Sequence, residues 1–301
     1  MRAHPRVRPG FSLVEIITAL VILAVIGTAL TKMVLGQARS FQSEDGSRRA
    51  RTVARSATNI MTTDLRMAQD VGAIDSIDTA KNRWIDLKVP VAFGILCEVN
   101  AGNAVIGLVA VDSFQTTSSK YAGYAVRNST SGTYAYAAAG NGDTVTTADV
   151  SRCEGTPKIF VDTVKVANRA GRVVQVSPAP PGGAVVGSPA FIYQNVRYQF
   201  DTSGIYRGRY GLYRTIRGRG NTDKLQEELI APFDSTARFS YYTNPWTYRD
   251  TVTKTAPTDL NTIRGLQIYL PAQSSDTVPG MSAPRKAATR MAIFFKNTRV
   301  Q

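Results

Sequence analysis

Polar and apolar positions alternate in three regimes along the chain. Met1–Gly10 is polar and basic, with Arg2, Arg6 and Arg8 and no acid, and FSLVEIITALVILAVIGTALT from Phe11 to Thr31 is almost wholly apolar. As a helix rising about 1.5 Å per residue, that run spans roughly 30 Å, the thickness of a bilayer core. From Gln37 to Gln69 the pattern continues as a polar helix, with Val53, Ala57, Ile60, Met61, Leu65 and Ala68 on one face. Gly46 is a point where this helix can weaken or break, and Gly72 is a stop. Beyond residue 80, short β-branched and aromatic runs are bounded by Gly, Asn, Asp and Pro. Strands are expected over Trp84–Val89, Val105–Val111, Lys158–Val166, Arg172–Val176, Phe191–Phe200, Ile205–Arg214, Ala237–Tyr242, Ile263–Leu270 and Thr289–Phe295. Asp201-Thr-Ser-Gly204 supplies turn chemistry for a hairpin, in whose second strand Tyr206, Tyr210 and Leu212 alternate with Arg207 and Arg209. Gln115–Asp149, rich in Ser, Thr, Gly, Ala and Tyr, reads as exposed loops or a loose hairpin, and Ser177–Pro189 as a connector. There is no internal repeat. The expected fold class is α+β: a basic segment over 1–10, a helix over 11–72 that is transmembrane over 11–31 and then amphipathic, and a mainly antiparallel β domain over 73–301.

Within the apolar run the one charge is Glu15. A carboxylate at the centre of a membrane helix costs about 2.5–3.5 kcal/mol on insertion scales, so it calls for a partner. Cleavage between Gly10 and Phe11 would create an α-ammonium and make Glu15 the fifth residue, so that a neighbouring subunit's amine could neutralise it. An ordinary secretory signal has a shorter apolar region followed by small cleavage residues, and no A-x-A follows cleanly here.

Gly10-Phe11-Ser12-Leu13-Val14-Glu15 resembles the class III signal of type IV prepilins and type II secretion pseudopilins. The resemblance implies cleavage after Gly10 by prepilin peptidase, methylation of the new amine at Phe11, and a helix that becomes filament core. It also implies a single-pass inner-membrane protein with its globular domain in the periplasm. Lys32, Arg39, Arg48, Arg49 and Arg51 outnumber the leader arginines, so the positive-inside rule alone gives the opposite orientation. The leader motif decides here, since processing requires it to face the cytoplasm. Further along, Thr63-Asp64-Leu65-Arg66-Met67-Ala68, Tyr198-Gln-Phe200, Gly211-Leu-Tyr-Arg214, a helix or loop over Leu225–Phe233, Phe239-Ser-Tyr-Tyr242 and Met291–Asn297 are similar, in order, to segments of two large minor subunits. These are the J-type pseudopilin of type II secretion and the W-type minor pilin of type IV pili. The implied partners are other minor subunits, the major subunit and the inner membrane.

Composition narrows the chemistry. The 43% hydrophobic content is enough for a core, and the net charge of +14 can attract nucleic acid, acidic polysaccharide or anionic lipid, though such a balance bears first on solubility. His4 is the only histidine and lies in the expected leader, so the processed chain would lack an imidazole. Histidine-based nucleophile pairs and histidine-ligated zinc or iron sites are thereby excluded. Cys97 and Cys153 are too few and too far apart for a Cys₄ site or a CxxC motif, which leaves one disulfide or two buried thiols. On the oxidising side of a membrane, a disulfide is expected. No cofactor or metal is expected: Asn141-Gly-Asp143 reads as a turn rather than a calcium loop, and Glu227 and Glu228 are sequence neighbours with no partner placed across a cleft.

A structural, non-enzymatic subunit that starts or caps a filament is the leading reading. The alternative is a tip module binding DNA or a surface. Tyr206, Arg207, Arg209, Tyr210, Tyr213, Arg214, Arg217 and Arg219 interleave rings with arginines as single-strand binders do, although tyrosines beneath a solvated arginine face give the same pattern. Arg48, Arg49, Arg51 and Arg55 form a second basic cluster, either a solvated helix face or a site for acidic lipid head groups.

Overall fold

Helix α1 runs unbroken over Leu13–Met67 in the computed structural model. The structure describes residues 12–68, 72–109, 112, 121–153, 172–217, 223–243, 252–277, 279 and 281–295. The expected strand over Lys158–Val166 lies outside them. Gly46 does not interrupt α1. It shares an arc of about 100° on the helical wheel with Ala50, Ala54, Ala57, Met61, Leu65 and Ala68, all buried, and the small residues among them bring the helix backbone close to the sheet. A Cβ on Gly46 would lie 3.4 Å from Ser274 Cβ and Arg285 Cγ, an ordinary contact that marks how near the two elements come. Ile60, expected on the packed face, is exposed instead, and Val53 is only half-buried.

Fourteen described strands form one antiparallel sheet: β1 (Ile74–Ile77), β2 (Trp84–Val99), β3 (Ala104–Leu108), β4 (Gly123–Arg127), β5 (Tyr134–Ala138), β6 (Val145–Thr147), β7 (Arg172–Val176), β8 (Pro189–Thr202), β9 (Tyr210–Arg217), β10 (Asp223–Phe233), β11 (Arg238–Tyr242), β12 (Val252–Thr253), β13 (Gly265–Gln273) and β14 (Lys286–Phe294). The order is β12-β11-β13-β10-β9-β8-β2-β3-β7-β6, with β1 on β2, β14 on β13, and the β4–β5 hairpin on β8. The architecture is therefore α+β, one long helix on a large antiparallel sheet.

The long strands β2 and β8 connect two cores. At one end Ile85, Leu87, Val196, Tyr198 and Phe200 alternate toward α1, and Phe200 meets Phe233 and Phe239 at ring-centroid distances of 5.7 and 5.4 Å. At the other end Ala92, Leu96, Ile106, Tyr124, Val174 and Ile192 form a second cluster, away from α1. Strand β8 changes character between the two, since Ala190–Gln194 is buried at every position and 195–200 alternates. The sequence reading ended the first strand before Pro90. The strand in fact continues to Val99, and the pairing with β8 shifts register between Pro90 and Ala92, so an irregularity absorbs the residue that cannot donate an amide.

Two other expectations are corrected. Leu225–Phe233 is neither helix nor loop but part of β10, paired along β9 from Asp223↔Arg217 to Phe233↔Tyr210. Gln115–Asp149 is not simply loose: β4 and β5 within it bury Tyr124, Ala125 and Val126, and Tyr134 stacks 4.8 Å from Phe191. The Tyr121 and Tyr124 hydroxyls donate to the carbonyls of Ser177 and Pro178, which ties this hairpin to the connector.

Candidate functional site

At about 1.5 Å per residue, α1 is roughly 80 Å long, and only its second half meets the sheet. Residues 12–42 are exposed throughout, with Leu13 at 75%, Leu23 at 71% and Phe41 at 71%. The most apolar 18-residue window has mean hydropathy 2.5 and none of it is buried. This helix is long and apolar enough to span a membrane. Its hydroxyls also suit an apolar medium. Thr18 donates to the carbonyls of Val14 and Glu15, Thr28 to Val25 and Thr31 to Gly27, so each is satisfied inside the helix.

Glu15 stands in the first turn, where the amide ends of the helix favour a carboxylate. Among the described residues its side chain has no ion-pair partner. Gly10 and Phe11, the expected processing positions, lie outside the described residues.

The docked half of α1 is fixed at its far end by polar contacts as well as packing. Asp64 accepts from the Tyr198 hydroxyl at 2.7 Å and from Arg214 at 3.0–3.1 Å, joining the helix to β8 and β9. Burial and the adjacent Asp64 carboxylate push the Tyr198 phenol far above its ordinary pKa, so it remains a donor. This gives the Thr63–Ala68 segment a physical role: Leu65 and Ala68 pack, and Asp64 fastens.

The interleaved Tyr/Arg run is not assembled on one surface. Tyr206 and Arg207 sit in a turn organised by the Ser203 hydroxyl, and Arg209 donates to the Ser274 carbonyl. Within β9, Leu212 and Arg214 point toward α1, whereas Tyr213 and Arg217 point to the opposite face. Tyr213 shares hydrogen bonds with Glu228 and Thr202, and Tyr210 stacks against Arg83 at 4.7 Å. Arg219 lies outside the described residues. Among the described residues, Arg209, Arg214 and Arg217 are therefore engaged inside the fold, and Tyr213 and Arg214 stand on opposite faces of β9.

Sequence reasoning missed the group that Arg217 serves. Asp86 is 1% exposed on the sheet face away from α1 and accepts from Arg197 twice at 2.7 Å, from Arg217 at 2.9 Å and from the Ser76 hydroxyl at 2.6 Å. Arg197 in turn lies 4.1 Å over the Trp84 ring. The available signal was Trp84-Ile-Asp86-Leu-Lys88, an alternation that sends Asp86 away from the helix-facing core. Glu228, the one paired carboxylate with an evident task, accepts from Ser203, Gly204 and Tyr213 and closes the β8–β9 turn.

Cys97 and Cys153 are disulfide-bonded, holding a short 3₁₀ turn, Val150–Cys153, against β2. Arg152 beside it pairs with Glu98 at 2.8 Å and donates to Gln175 at 2.6 Å. Asp143 accepts from the Gly140 amide and closes its own turn. Among the described residues, no group of three or more acidic, cysteine or histidine side chains is placed to hold a metal ion. Compared with protein families, curated proteins and solved structures, the chain matches none of them.

Proposed function

We propose that this protein is a pilin-like subunit, a minor pilin or pseudopilin that initiates or caps a type IV pilus or type II secretion pseudopilus. The observation that carries the reading is the division of α1: one half is fastened to a β domain, and the other is an apolar cylinder with no packing partner among the described residues. An apolar helix of this length needs either lipid or other helices around it, and an assembling filament subunit meets both in turn. Glu15, with no ion-pair partner among the described residues, adds a charge in the first turn that a neighbour's amine would satisfy.

In this reading prepilin peptidase cleaves between Gly10 and Phe11 and methylates Phe11, and the β domain stands in the periplasm on a helix anchored in the inner membrane. Other minor subunits and the major subunit are the partners. A bulky sheet domain favours a position at or near the tip, where crowding by repeated subunits is relieved. Mass spectrometry of protein extracted from membranes should find the chain starting at a methylated Phe11, and recovery of intact Met1 in assembled filaments refutes the reading. Glu15→Val should be cleaved and inserted yet incorporated poorly, and normal assembly of that variant removes the role given to Glu15.

A further inference from the structure

The face of α1 opposite the packed stripe carries Arg48, Arg51, Arg55 and Arg66, all exposed. At 100° per residue these four fall within about 60° of one another, and their mean direction lies roughly 120–160° from Ala50, Ala57 and Met61. Exposed neighbours of that face are Glu44, Asn59 and Thr63, whereas Thr62 is half-buried and its hydroxyl donates to the Met291 sulfur of β14, which bounds the face on that side. Among the described residues none of the four arginines has an ion-pair partner. Elsewhere Arg152, Arg197, Arg214 and Arg217 all pair with carboxylates. Arg48, Arg51 and Arg55 are spaced at i+3 and i+4, where like charges repel within an isolated helix. Every basic residue of α1 beyond Lys32 is arginine, the cation enriched at protein interfaces where lysine is depleted.

We propose that this arginine face is a docking surface for an acidic protein partner laid along α1, most simply an acidic helix of another subunit. The inference rests on the membrane-anchored reading above and names the chemistry of one contact within it. Distance separates a protein partner from lipid. At about 1.5 Å per residue, Arg55 is roughly 30 Å and Arg66 roughly 46 Å along the axis from Leu35, where the exposed apolar run ends. Even at a tilt of about 40°, these heights exceed a head-group layer of roughly 5–8 Å plus a screening length of about 8 Å. A second copy is disfavoured because the chain carries a net charge of +14, and parallel packing would set arginine against arginine. No aromatic residue lies on the face between positions 44 and 66, so the stacking platform that single strands require is missing. Beside the stripe, Arg48, Thr52 and the Arg49–Asp45 pair border an open groove of about 480 Å³ closed on its other side by Tyr206, Pro232 and Gln273, with Arg48 its one cation not already paired among the described residues. A partner side chain could seat there.

The test places a photoreactive amino acid at Asn59, within the stripe, in the full chain expressed in its own cells. Expected is a cross-link to a protein segment whose facing side is rich in Asp and Glu. The combined variant Arg48→Glu, Arg51→Glu, Arg55→Glu and Arg66→Glu should reduce that cross-link at least tenfold, and reversing the identified acids to Lys should restore it. Cross-links to lipid, to nucleic acid or to a second copy overturn the proposal, as does a protein cross-link indifferent to charge reversal. Membrane retention and the processed N-terminus are scored on the same samples. Loss of either indicts the anchored reading, whereas a retained, processed chain without the acidic cross-link indicts only the docking face.

Discussion

Replacing Asp86 with alanine should be among the costliest single changes outside the apolar core. The carboxylate is 1% exposed and accepts four hydrogen bonds, three of them from guanidinium groups. Removing it takes from Arg197 and Arg217, at 21% and 16% side-chain exposure, the buried carboxylate that they share. Breaking a buried pair by deleting one partner costs about 3–5 kcal/mol, and the residual water access of the two arginines places this case near 3. For a domain of this size, about 2–4 °C of melting temperature follows each kcal/mol, so a fall of roughly 6–12 °C is expected. Thermal melts of the detergent-solubilised full chain, followed by circular dichroism, would measure it. Arg49→Ala is the control: its pair with Asp45 is 59% and 57% exposed and should be worth less than about 1 kcal/mol. Replacing Asp86, Arg197 and Arg217 together by Leu, Met and Met should regain much of the loss, because the uncompensated charge goes with the pair. If Asp86→Ala melts within about 2 °C of the parent chain, the account of this cluster as a mutually dependent charge group is wrong.

Gly123 has φ +149°, and a Cβ there would fall 2.3 Å from the Ala137 carbonyl and 2.4 Å from the Tyr193 hydroxyl. Gly123→Ala should therefore cost about 1–3 kcal/mol, read as an earlier urea midpoint. Gly46→Ala should be neutral or stabilising by up to about 1 kcal/mol, since helix propensity improves and the new methyl meets only ordinary contacts. Gly46→Leu should pry the helix from Ser274 and Arg285 and raise proteolytic cleavage near residue 46. The Lys286 ammonium, with help from Thr236, holds the Asp234 carboxyl below its usual range. A depressed folded pKa stabilises fully above the unfolded value of about 3.9 and is lost as pH falls through the folded one. Asp234→Asn should thus be less stable than the parent at pH 7 and converge with it in strong acid, and a pH-independent gap in urea midpoints would contradict the assignment.

Local patterning was sufficient for the helix. A run of 21 almost wholly apolar residues and a following 3.6-residue period need no distant partner to become α1, and the packed face through Ala57, Met61, Leu65 and Ala68 was legible for the same reason. Short β-branched strands, such as Arg172–Val176, were equally readable. Other features depended on what lay across space. Leu225–Phe233 contains good helix formers in Leu-Gln-Glu-Glu-Leu, yet pairing along β9 draws it into the sheet. Pro90 marked an end locally, while the paired β8 carried β2 past it. The Tyr/Arg run looked like a surface because spacing alone cannot reveal that Arg214 would meet Asp64, 150 residues away, or that Arg217 would meet Asp86, 131 residues away. The sequence by itself determined that a long helix with an apolar first half forms and, Ile60 and Val53 apart, which face of its second half is buried, since both follow from neighbouring residues. Only the tertiary structure decided which arginines are neutralised inside the fold and which remain along the outer face of α1, because a charge is satisfied by what folding brings beside it.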